Sequence, residues 1–118
     1  MQEIMEMADR LGQALARTEE YQTLRRAIAA SGEDRELAEL QTQIQGLEQA
    51  MQGRMQKGEE PTEEQAKEYE AFFGSLQGNA AYQRLVAAQA NFDKIVSKVN
   101  ETIHQGIQKG AESRIILT

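Results

Sequence analysis

A chain of 118 residues with a net charge of −6, no cysteine, no tryptophan and one proline has room for one domain, built from long helices rather than strands. The missing cysteine excludes disulfides, thiolate zinc sites, cysteine-ligated iron–sulfur clusters and cysteine nucleophiles. No apolar run is long enough for a membrane span, and Glu3, Glu6 and Asp9 stand where a signal peptide would want basic and then apolar residues, so a cytoplasmic location is expected.

The first predicted helix covers Gln2 to Arg17, where Ile4, Ala8, Leu11 and Leu15 repeat at steps of four, three and four along a single stripe. Thr18 reads as an N-cap accepting from the amide of Glu20 or Tyr21, with two acids in the first turn where the helix dipole favours them. The helix it opens, Glu19 to Ala30, presents Tyr21, Leu24 and Ile28; the sequence leaves open whether it is separate from the first or continues it through a kink. Ser31-Gly32 is the predicted stop, and Asp34 the predicted cap of the third helix.

From Arg35 to Lys57 the apolar positions Leu37, Leu40, Ile44, Leu47 and Met51 step three and four, a narrow seam suited to coiled-coil-like packing. Gly46 and Gly53 lie off the seam, marking either a close backbone approach or local tolerance. Gly58-Glu59-Glu60-Pro61 is the clearest turn, and Thr62 with Gln65 matches a capping box. The helix opened there runs to about Gln77 and is expected to bury Ala66, Tyr69, Phe72 or Phe73, and Leu76. Gly78-Asn79 ends it and caps the longest element, Asn79 to about Lys109, which carries Tyr82, Leu85, Val86, Ala88, Phe92, Ile95, Val96, Val99, Ile103 and Ile107.

At ~1.5 Å per residue that last helix is roughly 46 Å long, more than the ~35 Å diameter of a compact domain of this size. The fold class expected is therefore all-α, an elongated antiparallel bundle of four to five helices. The helix before the longest one reaches only ~24 Å. The face around Ile95, Val99, Ile103 and Ile107 should stay open, and an open apolar face of this kind argues for self-association, a two-fold dimer first. Gly110 is the expected end of the long helix. Ile115, Ile116 and Leu117 in the tail 111–118 then complete the candidate interface, by folding back on the open stripe, extending onto a second subunit or pairing as a short edge strand; the alternative is a disordered remnant.

Charge is uneven along the chain. Residues 1–58 hold 7 basic and 10 acidic side chains, 59–78 hold 1 and 6, and 79–118 hold 5 and 3. Antiparallel solvated faces account for this, with an acidic docking surface as the sharper reading. Scattered Lys and Arg disfavour direct nucleic-acid binding. The lone His104, next to the apolar stripe, reads as a helix-face residue. Glu63, Glu64, Glu68 and Glu70 lack the spacing of a calcium loop or a Glu-x-x-His pair, and phosphate loops and nucleophile elbows are missing too. No catalytic residue, metal or cofactor is expected. Tyr21, Tyr69 and Tyr82 read as core-edge residues with a wet polar tip.

Thr18-Glu19-Glu20-Tyr21 with Leu24 and Ala27, Pro61-Thr62-Glu63-Glu64 before a short helix, and Asn79 opening a helix with Tyr82, Leu85, Ala88 and Phe92 together resemble the YlbF/YmcA/YheA-type family of small helical bacterial regulators. The resemblance covers nearly the whole chain. It implies a non-catalytic, cytoplasmic regulator or adaptor that self-associates or joins related proteins, some relatives acting on competence, sporulation and messenger RNA processing through a ribonuclease partner. Certain relatives hold iron–sulfur clusters on Cys residues, and that role does not carry over to a chain without cysteine. A helical holdase that accepts partner segments in its grooves is the alternative reading.

Overall fold

The computed structural model describes residues 1–117, with side chains through Glu112. Five helices succeed one another: α1 (Gln2–Ala16), α2 (Glu19–Glu33), α3 (Arg35–Gln56), α4 (Glu63–Gly78) and α5 (Ala80–Leu117). No strand occurs among the described residues. The principal extents are 68 × 37 × 23 Å and the radius of gyration is 21.9 Å, against the ~13.5 Å of a compact domain of this length. The elongation comes from α5, whose 38 residues reach ~57 Å.

Each boundary has a local cause. Thr18 adopts extended backbone, its Oγ1 accepts from the Tyr21 amide at 3.2 Å and its hydroxyl donates to the Leu15 carbonyl at 2.7 Å. One residue thus closes α1 and opens α2, which are two helices rather than one. Asp34 takes the Leu37 amide at 2.8 Å. α3 ends in a Schellman arrangement: Gly58, at φ 78°, donates to Met55 O at 3.0 Å while Glu59 donates to Arg54 O at 2.9 Å. Thr62 and Gln65 exchange side-chain and backbone bonds at 3.1 and 3.0 Å, a complete capping box. Asn79, buried, accepts from the Tyr82 amide at 2.9 Å.

The α1–α2 and α4–α5 junctions are built alike. Gln22, four residues past the Thr18 cap, donates to Ala16 O at 2.8 Å; Gln83, four past Asn79, donates to Gln77 O at 2.7 Å. Thr18-Glu19-Glu20-Tyr21-Gln22 and Asn79-Ala80-Ala81-Tyr82-Gln83 are two copies of one device. In each, a cap holds the first turn and a glutamine ties that turn back to the preceding helix.

The core is thin and lies in two clusters. In the first, Leu37 and Ile44 of α3 meet Leu76 of α4 and Ala81 of α5, with Tyr69, Phe72 and Tyr82 packed around them. In the second, Leu24 and Ala27 of α2 meet Ala88 of α5, flanked by Tyr21, Leu85 and Phe92. The rings of Tyr21 and Phe92 lie 5.1 Å apart and tilted. α3 and α4 thus form one antiparallel hairpin, and α2 runs antiparallel along the N-terminal half of α5.

Several expected details change. α2 passes through Ser31-Gly32 to Glu33, and α5 passes through Gly110 to Leu117. A glycine costs a helix only ~1 kcal/mol, and neither site has the positive φ or succeeding proline that enforces a stop. Residues 111–117 therefore continue α5 and form no edge strand. The side chains of Ile115, Ile116 and Leu117, and residue 118, lie outside the described residues. Ile28 and Ala66, expected inside, are exposed, as is Val86; of the two phenylalanines Phe72 packs inward and Phe73 lies open against the Tyr69 ring. A Cβ built on Gly46 or Gly53 meets nothing within 4 Å, so local tolerance and not close approach explains both glycines.

Candidate functional site

Among the described residues no group of three or more His, Cys, Asp or Glu side chains is placed to hold a metal ion. One groove, of about 530 Å³, is an open trough along α5 lined by Glu20, Asn91, Lys94, Ile95, Ser97, Lys98 and Glu101. Another, about 430 Å³, has an alanine floor of Ala27, Ala30, Ala87 and Ala88 with Arg26 and Arg84 on its rims. His104 is exposed on α5.

Among the described residues one group shows a resolved electrostatic perturbation. The Tyr69 phenol is held above its ordinary range, first by desolvation against the α3–α4 cluster, then by the 3.1 Å hydrogen bond it donates to Glu48 and by that carboxylate's charge. The pair ties α4 to α3.

The most distinctive feature of the molecule is apolar surface. α1 has a sharply one-sided sequence and buries none of its residues. Its Ile4 is 59% exposed, and Met5 and Met7 are similarly open. Leu11 lies across from α5 and lines a groove of about 320 Å³ with Ile95, Lys98, Val99, Thr102 and Ile103. Beyond Val99 every residue of α5 from Asn100 through Glu112 is exposed, Ile103 to 47% and Ile107 to 62%.

Of the seven residues expected to form an interface, Ile95 and Val99 are half-buried at the groove, Ile103 and Ile107 stand open, and the side chains of Ile115, Ile116 and Leu117 lie outside the described residues. Sequence reasoning places no interface on α1, because its stripe of Ile4, Ala8, Leu11 and Leu15 has the periodicity of an ordinary buried face. Met5 and Met7 widen that stripe beyond what one neighbouring helix covers, and the width is the signal that could have found it.

The fold is shared with solved helical proteins. Bacillus subtilis RicA, solved in complex with RicF, superposes with a TM-score of 0.82 at 13% identity, covering 92% of this chain and 96% of that one. A DUF964 protein of unknown function from Bacillus stearothermophilus superposes with a TM-score of 0.62 at 16% identity, covering 89% and 92%. Among sequence relatives, a UPF0342 protein of Leuconostoc citreum is 26% identical over 100 residues, covering 85% of each chain. A UPF0342 protein of Streptococcus mutans is 27% identical over 105 residues, 89% of this chain and 93% of its own. The family model described as "Control of competence regulator ComK, YlbF/YmcA" matches residues 4–108, and the chain belongs to that family.

Proposed function

We propose that this protein is a non-catalytic, cytoplasmic regulatory adaptor, and that the α1/α5 face is where it binds other proteins. One observation carries the reading: α1, a 15-residue helix with no buried residue, meets α5 at the Leu11 groove, where the open C-terminal half of α5 begins. An isolated helix of about that length is marginal in water, so α1 needs a cover. Exposed aliphatics and methionines on both helices leave apolar surface of the kind that marks a protein-binding site. The fold neighbour RicA is itself found in complex with RicF. By that analogy the occupants are helical chains, a second copy of this protein or a relative of the same family; a ribonuclease partner rests on the family likeness alone.

The test is capture from the native cytoplasm with wild type beside an Ile103→Glu/Ile107→Glu variant. A discrete partner retained by wild type and lost by the variant supports the reading. Equal capture by both overturns it. The Met-containing α1 face also favours a second reading, a holdase that accepts unfolded segments. Suppressed aggregation of unrelated clients would favour the holdase over the adaptor.

A further inference from the structure

We infer that the groove between α2 and the N-terminal half of α5 is a second docking site, and that its occupant is an amphipathic helix of another protein that carries a carboxylate and, two turns away on the same face, a cation. The site is distinct from the α1/α5 face. It rests on the adaptor reading in taking a protein as its ligand, and adds the chemistry by which that protein is recognised.

The groove has the shape of a helix seat. Its larger part, about 430 Å³, is lined along its length by Ala27, Ala30, Ala87 and Ala88, and a neighbouring hollow of about 230 Å³ shares Thr23, Ala88 and Asn91 with it. On α5 the lining residues Arg84, Ala87 and Asn91 step three and four, the spacing of one helix face. Alanine ends at Cβ, so an incoming helix axis can reach the ~8 Å end of the usual packing range and lay aliphatic side chains in the space left open. An extended peptide has no comparable seat, because among the described residues there is no strand edge to pair with its backbone.

Charge selects the occupant. In the larger part Arg26 and Arg84 line the groove from opposite helices with no acid beside them, and in the neighbouring hollow Glu19 and Glu20 line it with no base. Arg26 donates to Thr23 Oγ1 at 3.2 Å, which keeps its guanidinium at the groove. The ion pair found among the described residues is Arg54 with Glu59, so none of these four charges is paired within the chain. Arg26 lies six residues beyond Glu20 and seven beyond Glu19 on α2, a separation of ~9 to 10.5 Å. A polyanion such as nucleic acid would meet the two carboxylates as well as the two guanidinium groups. A helix with an acid and a base about seven residues apart complements both ends, because seven residues make two turns, ~10.5 Å, on a single face.

The probe is a capped helical peptide of about 18 residues, built on alanine and glutamine, with one Glu and one Lys two turns apart on one face and leucines between them on that face. Its binding is read by fluorescence anisotropy. Wild type should bind it, and should bind a peptide with Gln at both charged positions about 5-fold more weakly. Arg26→Glu/Arg84→Glu turns two attractions into repulsions and should weaken binding at least ~10-fold, with helix content by circular dichroism unchanged because both positions are exposed. A peptide with Lys at both positions, a poor ligand for wild type, should restore binding to that variant. Arg35→Glu/Lys67→Glu makes the same change of net charge at exposed positions outside the groove and should bind like wild type. No binding by wild type, equal loss in the two double variants, or displacement by inorganic phosphate but not by chloride at the same ionic strength, the mark of a small-anion site, would each overturn the inference. So would peptide binding that is lost with Ile103→Glu/Ile107→Glu and kept by the groove variant, or a change in the mass of the protein alone with Arg26→Glu/Arg84→Glu, which would make the occupant a second copy. Failure of the peptide to bind while a cytoplasmic partner is still captured through Ile103 and Ile107 would overturn the inference and leave the adaptor reading standing.

Discussion

Leu37→Ala probes how much of this elongated molecule depends on one contact point. Leu37 is 1% exposed, the most deeply buried large side chain, where α3, α4 and the start of α5 converge. Removing three carbons forfeits ~2.4 kcal/mol of transfer free energy at ~0.8 per carbon. The void left behind adds to this, and measured Leu→Ala costs run ~2–5 kcal/mol. Tyr69, Phe72 and Tyr82 around the site are only half-buried and free to close in, so we place the cost near ~3 kcal/mol. For a domain between the two size classes for which the conversion is known, ~4 °C per kcal/mol makes this a fall in Tm of about 12 °C. The assay is thermal unfolding by circular dichroism at one fixed protein concentration, since association shifts apparent stability. Ile28→Ala, at 53% exposure, is the reference and should move Tm by under ~3 °C. If the two variants fall equally, the two-cluster description of the core is wrong.

Other consequences arise from the junctions and the tyrosine. Gln22→Ala removes the tie to Ala16 O and should cost ~0.5–1.5 kcal/mol, speeding hydrogen exchange in α1 more than in α3. Gly58→Ala places a side chain at φ 78° with nothing within 4 Å of the new Cβ, so its cost should be the conformational ~1 kcal/mol alone; urea unfolding reads it, and no loss would contradict the Schellman assignment. Tyr69 has a folded-state pKa raised above its unfolded value, so its contribution is fully present below the unfolded pKa and disappears as pH rises through the folded one. Wild type should lose stability in the alkaline range above ~10, and Tyr69→Phe should lose less there.

The caps were legible because they depend on a few adjacent residues. Thr18, Asp34, Thr62 and Asn79 each do what their side-chain chemistry dictates within three residues of their own position. The seam of α3 was legible for a related reason, since a narrow stripe admits one packing face, and Leu37, Leu40, Ile44 and Leu47 are all buried. Two of the glycine stops were not legible: Gly32 and Gly110 are tolerated inside helices whose ends are set elsewhere. Nor was the fate of a stripe with no assigned neighbour. Ile28 and Val86 satisfy helical periodicity as well as Leu24 and Ala88 do, but periodicity does not say whether another element arrives to cover a face, and among the described residues none does. The open residues on α5 were found from length alone, because a helix longer than its neighbours must leave surface open; on α1 the same fact was hidden by the helix's shortness. The paired Tyr-Gln junctions were present in the sequence as Tyr21-Gln22 and Tyr82-Gln83, three and four residues after a cap in both places.

The claim that binding takes place on the α1/α5 face is tested most directly by hydrogen exchange of the protein alone at high dilution and again in its assembled state, whether with a second copy or with a captured partner. Assembly should slow exchange in residues 1–12 and 99–112 and leave α3 and α4 as they were. Protection that emerges instead along the acidic residues of α4, Glu63 to Glu70, with α1 still exchanging freely, would contradict the account and return the binding site to the acidic hairpin.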